Sequence, residues 1–474
     1  MRSNLLDQWG KPMAFSGGYY QTGQSRERRF VPAVAADSKK TLTASARRQV
    51  LALARYLHAN NGVVRGAVDD LTRYSIGSGL TPQSQAGAQS DAFETYFREW
   101  CKIADATGRR SFSQIQQLAS RRMDVDGDIG IILRTTPTGF PQLQLVEGHS
   151  IGSDSEDKGW QDGVKVSAAG RPVAYRVLGP DDTTTDIPAR DFILLAETER
   201  VDQQRGLSAL AHALNHVRDI SDILEFEKVG VKMGAAIGIA ITTESGSADE
   251  GASYIEGGAE VSAGGAPLET FEAGMVPRLR IGEKIESFAS NRPNPSFTGF
   301  IEHLLRDVSV GLGLPFEFVW DSTKIGGATQ RFVLAKAQRR FEQRQHYITQ
   351  QLLDRVWGWV IAKGIQRGDL PKSKDWWRVR WQTPAKITVD VGREATANRD
   401  DLRMGMRTLA EDAGERGMDW QELREQNERE TRDLFSRAKR IAAAEDVPFE
   451  QVLYFLQSRA PNPPTLNPST QTTP

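Results

Sequence analysis

The sequence predicts a mainly helical α+β fold that contains one small antiparallel β-region. Apolar residues recur at helical spacing through most of the chain, and the period changes to two between residues 129 and 177. The longest helical pattern begins after Thr329 and continues for roughly 35 residues, which is about 50 Å at 1.5 Å per residue. A helix of this length exceeds the diameter of a small domain, so we expect an elongated subunit.

The composition excludes several classes of protein. With 60 basic and 61 acidic residues the formal net charge is −1, which gives no global reason for tight binding to nucleic acid. The single cysteine, Cys101, excludes an internal disulfide and a cysteine-rich metal cage, which suits a reducing compartment. Residues 1–15 do not resemble a signal peptide, and the most apolar stretch, Met233–Ile241, is about half of a membrane helix. We therefore expect a soluble protein.

The helical patterns come in a definite order. Residues 1–40 are polar and glycine-rich, and we expect a flexible arm with a basic knot. Apolar stripes then predict two helices from Thr41, the second ended by the Gly77–Pro82 tract, and a further helix over 92–123. The residues of the knot and the two stripes are Arg26, Arg28 and Arg29; Val50, Leu51, Leu53, Ala54 and Leu57; and Val64, Ala67, Val68 and Leu71.

The β-region follows. Alternating apolar residues, separated by turn signals at Asp126-Gly127, Thr138-Gly139 and Ala169-Gly170, predict short antiparallel strands. The alternating residues are Ile129, Ile131 and Leu133, then Leu143 and Leu145, then Val164, Val166, Val173, Tyr175 and Val177.

The second half of the chain is again helical. A long helix is predicted from Ser208 and another over 297–312, which Gly313-Leu-Pro315 ends. Between them, residues 242–286 are rich in Gly, Ser and Ala and carry nine acidic side chains against three basic ones. After a loop of small residues, Thr329 is a good N-cap for the longest helix. A charged helical region over 400–460 and a Pro- and Thr-rich tail, expected to be disordered, complete the chain.

Motifs for enzymatic chemistry are absent. The sequence contains no GxxxxGK[ST], so a P-loop ATPase is excluded, and neither GxSxG nor HExxH occurs. Asp124-Val-Asp126-Gly-Asp128 resembles a calcium loop, but its glycine stands at the fourth position and no Glu follows at the twelfth. A β-turn flanked by carboxylates is the preferred interpretation.

Four further features allow a functional and a structural interpretation. His212 and His216 have the spacing of two zinc ligands on a helix, but no third ligand is evident, so no metal site is predicted. Cys101 is interpreted as a small buried hydrophobe rather than a nucleophile. Trp376, Trp377 and Trp381 lie among basic residues and suit either single-strand stacking or, preferably, a strand with Trp377, Val379 and Trp381 on a buried face. A basic helix face suits DNA contact or, preferably, solvent or inter-subunit ion pairs; it comprises Arg331, Lys336, Arg339, Arg340 and Arg344.

A series of motifs in register carries a resemblance. In order they are Asn60-Asn61 with Ala67-Val68-Asp69, Gly77-Ser-Gly-Leu-Thr-Pro82, Asp126-Gly127-Asp128 leading into Leu143–Glu147, Gly170-Arg-Pro-Val-Ala-Tyr175, Gln204-Arg-Gly-Leu-Ser208, Gly311-Leu-Gly-Leu-Pro315 with Asp321, Trp381-Gln-Thr-Pro384, Val389-Asp390 and Gly417-Met-Asp-Trp420. Over about residues 42–435 the chain resembles the lambda-type portal family of tailed bacteriophages. One element departs from the family pattern, since Ile325-Gly-Gly-Ala-Thr-Gln-Arg331 stands where the family has a Tyr-Ser-Ser-x-Arg element.

The resemblance implies a portal fold with wing, stem, clip and crown. It assigns 1–40 to the arm, 41–206 to an α+β wing, 207–241 and 287–314 to stem helices 1 and 2, 242–286 to the clip, 315–328 to the tunnel loop, 329–399 to the long wing helix and a strand region, 400–460 to a helical crown and 461–474 to a disordered tail.

The resemblance also implies function, sites and partners. We expect a non-enzymatic ring of twelve subunits at the capsid portal vertex, assembled in the host cytoplasm, which conducts double-stranded DNA without sequence specificity, uses no cofactor and contacts no membrane. The expected partners are the terminase large subunit, capsid and scaffolding proteins and a head–tail adaptor. The expected DNA-facing loop comprises Asp321, Ser322, Thr323, Lys324, Ile325, Gly326, Gly327 and Ala328, and the expected docking carboxylates are Glu256, Glu260, Glu269 and Glu272.

Two hypotheses from other classes remain open at this point. A head–tail adaptor without a channel is disfavoured by the paired long helices that flank a clip-like insertion. A maturation protease or nuclease is disfavoured because no carboxylate, serine or cysteine constellation is assembled in the sequence.

Overall fold

Helices make up most of the computed structural model, as the sequence predicts. The structure describes residues 37–152, 159–179, 183–236, 240–243, 283–286, 296–320, 326–387, 391–416 and 418–457. The helices are α1 (Ser38–Thr41), α2 (Ala44–Asn60), α3 (Gly62–Ile76), α4 (Ser90–Lys102), α5 (Phe112–Asp126), α6 (Leu214–Ala236), α7 (Ser296–Gly311), α8 (Phe316–Val319), α9 (Gly327–Ile348), α10 (Asp354–Arg367), α11 (Val391–Met404), α12 (Leu409–Glu415), α13 (Trp420–Glu445) and α14 (Phe449–Gln457). Among the described helices none is both long and apolar enough to cross a membrane.

The strands form small antiparallel sheets, which confirms the predicted α+β class. They are β1 (Thr81–Ser84), β2 (Asp128–Thr135), β3 (Pro141–Glu147), β4 (Trp160–Gln161), β5 (Val164–Val166), β6 (Pro172–Leu178), β7 (Thr184–Pro188), β8 (Phe192–Ala196), β9 (Ala240–Thr243), β10 (Glu283–Glu286) and β11 (Val379–Gln382). The strand orders are β3-β2-β8, β4-β5-β6-β7, β1-β11 and β9-β10.

The chain divides into two compact units. Unit 1 comprises Met1–Arg55, Ile76–Ser208 and Gln345–Pro384, and unit 2 comprises Tyr56–Ser75, Ala209–Arg344 and Ala385–Pro474.

Aromatic side chains form the centre of the larger core of unit 1. The ring of Phe97 in α4 lies 5.0 Å from that of Trp100, 5.0 Å from that of Trp357 and 5.7 Å from that of Phe112. Trp100 donates its indole N–H to the carbonyl of Pro141 at 2.8 Å, which satisfies its one polar group. The early helices, β3 and α10 therefore meet around one cluster.

Both faces of the three-stranded sheet are covered. Ile129 and Ile131 of β2 pack into the aromatic core, whereas Ile132, one residue on, packs into a second cluster with Val146 and Phe192. This follows from the alternation of side chains along a strand. The outer edge of β8 is also protected, because Arg355 donates to the carbonyl of Phe192 at 3.1 Å and the hydroxyl of Tyr347 donates to that of Ala196.

Unit 2 is built from helix pairs. Ile220 of α6 packs with Leu304 and Leu305 of α7 and with Phe316 of α8. Near the C-terminus, α13 and α14 pack together with stacked rings of Phe435 and Phe449, whose centroids are 6.0 Å apart. The predicted helical region over 400–460 is confirmed as far as Gln457.

Two helix boundaries predicted in the first half of the chain are wrong, because neighbouring segments form hydrogen bonds with the backbone or a side chain there. The helix predicted over 92–123 is interrupted after α4, since Ala104 and Ala106 make backbone hydrogen bonds of 2.7 and 2.8 Å with Leu143 of β3. The helix predicted from Ser208 begins at Leu214, since the Ser208 hydroxyl donates to the carbonyl of Asp124 at 3.1 Å and holds that segment beside α5.

Candidate functional site

The turn Gly311–Pro315 connects α7 to α8 and fixes the start of the candidate loop. Gly313 has a φ of +77°, a conformation that favours glycine. Gly311 lies against His212, such that a Cβ on Gly311 would be 1.6 Å from its Nε2. Leu312 and Leu314, which follow these glycines in the sequence, are both 1% exposed, so the two leucines of this motif are core residues.

Arg340 and an aromatic cluster hold this turn and α8 in place. The guanidinium of Arg340 in α9 donates through Nε to the carbonyl of Leu312 at 3.2 Å. The rings of Tyr74, Phe318 and Phe341 have centroids 5.3 to 5.7 Å apart, which joins α3, α8 and α9. The chain is therefore anchored up to Val319, and Trp320 is half exposed.

The candidate loop itself is shorter than predicted. Asp321, Ser322, Thr323, Lys324 and Ile325 lie outside the described residues. Gly326 caps α9, since its carbonyl accepts the first helical hydrogen bond from Gln330 at 2.9 Å. Gly327 and Ala328 belong to the first turn of α9, so the helix begins at Gly327 and not after the predicted N-cap Thr329. A Cβ on Gly326 or Gly327 would meet no atom within 4 Å.

Only some of the side chains in the predicted basic face of α9 are exposed. The side chains of Arg331, Lys336 and Arg339 are exposed. Arg340 is turned toward the Gly311–Pro315 turn, and Arg344 is 1% exposed. Arg344 follows the buried Phe341 by three residues and therefore falls on the apolar side of the helix. Including Arg344 in a DNA-facing or inter-subunit face was therefore wrong.

The acidic insertion begins and ends at a strand pair. β9 and β10 are antiparallel, with Thr243 opposite Glu283 and Ala240 opposite Glu286. The predicted docking residues Glu256, Glu260, Glu269 and Glu272 lie outside the described residues.

The structure also contains a buried arginine–aspartate network that the sequence analysis did not identify. Arg205 is 3% exposed and uses all five of its N–H groups. It donates to both carboxylate oxygens of Asp128 at 2.6 and 2.9 Å, and to the carbonyls of Gly148, Ile151 and Asp162 at 2.8 Å. Two family motifs, one with Arg205 and one with Asp128, thus meet in space. The sequence offered one signal for this contact, namely that the two motifs carry charges of opposite sign.

Neighbouring ion pairs extend this network. Arg47, 1% exposed, donates to the carboxylate of Asp162 at 2.5 Å, and Arg55 binds Asp126 through two hydrogen bonds of 2.8 and 2.6 Å. Burial acts to raise the pKa of Asp162, but the hydrogen bond from Arg47 and the charges of Arg205 and Arg47 outweigh it and lower the pKa. The hydrogen bond to Asp126 raises the pKa of Arg55. The pKa of Asp162 and the pKa of Arg55 thus both move in the direction that favours the charged form.

The network shows what Asp126 and Asp128 bind, but the predicted β-turn is wrong, since α5 extends to Asp126. Both carboxylates are bound by arginines, and Gly127 between them has a φ of +92° at the C-terminal end of the helix. Within the described ranges no group of three His, Cys, Asp or Glu residues could hold a metal ion. The carboxylates stabilise the junction between α5 and β2 by pairing with cations.

The remaining candidates have structural roles in this fold. His212 precedes α6, whereas His216 lies in it, with Nε2 3.6 Å from Asp307. Burial raises the pKa of the Cys101 thiol to about 12, so it is a poor nucleophile. Trp381 is buried as predicted, but Trp377 precedes β11 and is 57% exposed, so the expected shared buried face was wrong for this residue.

Comparison with protein families shows which family the chain belongs to. Residues 24–345 match the family described as phage portal protein, lambda family. The chain belongs to this family. The match covers the portal motifs from the early helices to the first part of the long helix, and portal proteins are structural components of phage particles.

Several solved structures are similar to this portal protein. The neck of a native GTA particle, computed with C12 symmetry, is 14% identical over 78% of this chain and 92% of that chain, with a TM-score of 0.48. The neck of an empty GTA particle, computed with C6 symmetry, is 14% identical over 76% and 90%, with a TM-score of 0.49. An HK97 family phage portal protein from Corynebacterium diphtheriae is 10% identical over 63% and 90%, with a TM-score of 0.29. A search of curated proteins found no match.

Proposed function

We propose that this portal protein assembles into a closed ring at one vertex of the capsid. The ring conducts double-stranded DNA during packaging and ejection and joins the head to the tail. Membership of the portal family is the observation that carries this proposal. Twelve subunits are the number that the family resemblance implies, and assembly takes place in the host cytoplasm with capsid and scaffolding proteins.

Exposed apolar side chains on the α6–α7 pair support assembly. Phe226 is 73% exposed, Val229 is 52% exposed and Phe300 is 51% exposed. Large exposed apolar surfaces mark interaction sites, and neighbouring copies in a ring would cover these residues. Native mass spectrometry and negative-stain microscopy of the purified protein should therefore show rings with a central hole. A stable monomer of 52.5 kDa at micromolar concentration would contradict the proposal.

The balance of positive and negative charges in the chain suits a channel through which DNA moves. A wall that bound many phosphates would slow DNA movement, because each cation contact must be broken at every step. The net charge of −1 and the acidic insertion keep the wall non-adhesive. The DNA contact is therefore independent of sequence.

The loop between α8 and α9 is the proposed point of contact with DNA. Trp320 and Gly326 are its described ends, and Lys324 is the one basic residue in the sequence between Pro315 and Gln330. Gly326 and Gly327 have open space around their Cα atoms, which allows close backbone approach to a duplex.

Packaging assays test this loop. Lys324→Ala should leave rings and empty proheads unchanged but alter packaging or the retention of DNA. Replacing Gly326 and Gly327 with Val should have a larger effect, because β-branched residues stiffen the backbone. If both variants package and retain full-length DNA at the wild-type rate, the segment is only a connector between helices.

The energy for packaging must come from a separate ATPase, since the sequence contains no P-loop. We propose that the terminase large subunit docks on the acidic insertion, 242–286, and that a head–tail adaptor later takes its place. Nuclease and peptidase assays of the purified ring should give no activity; a specific activity that co-purifies with the ring would overturn the non-enzymatic assignment.

A further inference from the structure

Helix α6 carries an acidic stripe on its exposed side. Asp219, Asp222 and Glu225 follow one another at intervals of three residues, which places them on one side of the helix. All three side chains are exposed, and none has an ion pair or side-chain hydrogen bond within the described part of the chain. Arg218 and Lys228 flank the stripe at its two ends.

Helix α9 carries a basic counterpart. Lys336 and Arg339 are also three residues apart and exposed, and neither has a charged partner among the described residues. Exposed charges elsewhere do pair within the chain, as Glu99 does with Lys102 at 2.8 Å and Asp433 with Arg437 at 2.8 Å. The stripes on α6 and α9 differ from these surfaces because their charges lack a partner on their own helix.

The two stripes lie on two helices of unit 2 that both pack against α8. Phe316 of α8 packs in the cluster with Ile220 of α6, whereas Phe318 contacts Phe341 of α9. Residues two apart on a helix point in nearly opposite directions. α8 therefore contacts α6 and α9 through opposite sides, and the two stripes lie on different helices of one unit.

A ring built from identical copies needs two such surfaces. In a head-to-tail contact one surface of each copy binds a different surface of the next, so the two must be complementary. We propose that the acidic stripe of α6 in one copy binds Lys336 and Arg339 of α9 in the adjacent copy. This proposal rests on the ring of the proposed function and assigns charged residues to its interface.

Charge pairs of this kind set orientation more than affinity. Opposite charges across an interface steer the encounter and fix its register, while like charges oppose the wrong alignment. The exposed apolar residues of α6 and α7 add contact area to the interface but do little to fix the orientation of the two subunits. The acidic stripe would therefore determine which face of α6 the neighbour approaches.

Reciprocal charge reversal tests the contact. Asp222→Lys with Glu225→Lys should reduce the fraction of protein in rings at least about tenfold in low salt, because like charges then face each other. Lys336→Glu with Arg339→Glu should do the same. All four changes in one chain should restore the rings to within about twofold of wild type, since every interface then regains opposite charges. Native mass spectrometry measures the ring fraction.

Salt and a matched control sharpen the result. The loss caused by each reversal should shrink as salt rises from 0.05 to about 0.5 M, since screening shortens the range of the charges. Glu425→Lys with Glu428→Lys makes the same charge change at the same spacing on α13 and should leave rings intact. Thermal unfolding of each variant verifies that the subunit still folds.

The possible outcomes separate this inference from the proposed function. If wild type forms rings and the fourfold variant is no better than either reversal, the α6–α9 contact is wrong and the ring stands. If both reversals keep their rings but Lys336→Glu with Arg339→Glu impairs packaging, these cations face DNA and the inference is again overturned. If wild type forms no rings, the proposed function itself fails.

Discussion

At the scale of single residues, Arg205 shows how a buried charge is tolerated. Its five N–H groups all have acceptors, and the carboxylate of Asp128 neutralises it. Burial acts to lower the pKa of Arg205, but the adjacent charge of Asp128 outweighs this and raises it. Removing one partner of such a pair leaves the other charge buried and uncompensated.

Arg205→Ala should therefore destabilise the protein by about 3–5 kcal/mol, most of it from the stranded Asp128. Thermal or urea unfolding of the purified subunit measures the change. Arg190→Ala is the matched control, because Arg190 is 84% exposed beside Asp191 and an exposed pair contributes about 0–1 kcal/mol. Equal stability of the two variants would show that the network is not stabilising.

The ion pair of Arg47 and Asp162 should make the stability of the protein depend on pH in the acid range. The pKa of Asp162 is lowered in the folded state, so its contribution is present above the unfolded pKa of about 4 and is lost as pH falls through the folded value. Arg47→Met removes the hydrogen bond that lowers this pKa. Circular dichroism between pH 7 and pH 2 should show acid unfolding of Arg47→Met at a higher pH than wild type.

Arg176→Met provides the comparison for this acid effect. The hydrogen bond from Arg176 lowers the pKa of Asp186, but Asp186 is 47% exposed and solvent screens the pair. Its acid midpoint should move less than that of Arg47→Met. A larger shift for Arg176→Met would contradict the assigned roles.

The sequence alone predicted the roles of some of these residues but not of others. Local chemistry predicts a change of direction at Asp126-Gly127 and an unreactive Cys101. Gly127 does have a positive φ, but it ends helix α5 instead of forming a β-turn, and burial raises the pKa of the Cys101 thiol. The partners of Asp126 and Asp128 lie 71 and 77 residues away along the chain, so no spacing rule identifies them. The burial of Arg344 was missed because a run of cations resembles a solvent face until the apolar side of the helix is known.

At the scale of elements, periodicity predicted the existence of helices better than their ends. α2, α3 and α7 lie where the apolar stripes indicate. The long helix is continuous with α10 through a π-helical segment at Thr349–Leu353, which shifts the buried face and cannot be recognised from a period of 3.6. Pairing of β1 with β11 joins segments about 300 residues apart, which local pattern does not indicate.

The crossing of two loops beside α5 should be highly sensitive to added volume. A Cβ on Gly206 would lie 1.8 Å from the carbonyl oxygen of Gly127, and the obstacle is backbone. Gly206→Ala should cost about 1–3 kcal/mol or more, because neither segment can move aside without breaking the Arg205 network. Chemical denaturation measures the loss.

Gly66→Ala is the matched control for this crossing. Gly66 lies inside α3, and a Cβ added to it would meet no atom within 4 Å, so alanine should stabilise the helix by about 0.5–1 kcal/mol. Opposite signs for the two glycines would support the close approach, and equal effects would contradict it.

At the scale of the whole molecule, the acidic insertion should govern binding of the packaging ATPase. Changing Glu256, Glu260, Glu269 and Glu272 together to Gln should weaken terminase binding by about tenfold and reduce its salt dependence, because rim charges mainly steer association. Biolayer interferometry on assembled rings measures the affinity, and microscopy verifies that the rings remain.

Amide substitutions on α13 provide a control of equal charge. Glu425, Glu428, Glu430 and Asp433 are exposed and lie outside the insertion, so their conversion to amides should leave terminase binding unchanged. If terminase binding is insensitive both to salt and to the changes in the insertion, this segment is not the docking surface.

The resemblance predicted the family and the fold class of the chain. The family is confirmed by a match over residues 24–345, and the α+β class is confirmed by the described helices and strands. Assignments to wing, stem, clip and crown remain predictions, since they describe places in a ring rather than features of one chain. The Gly311–Pro315 turn shows the difference. Its motif is recognisable in the sequence, but its packing against Arg340 and His212 required the fold.

The strand pair β9–β10 has a consequence for divergence among related phages. Because Thr243 and Glu283 stand opposite each other, the residues between them leave and re-enter the fold at one point. An insertion with adjoining ends behaves as an exchangeable cassette, since doubling its length adds only about 0.6 kcal/mol to the entropy of closing it. Its length and sequence can therefore diverge while β9 and β10 keep their pairing.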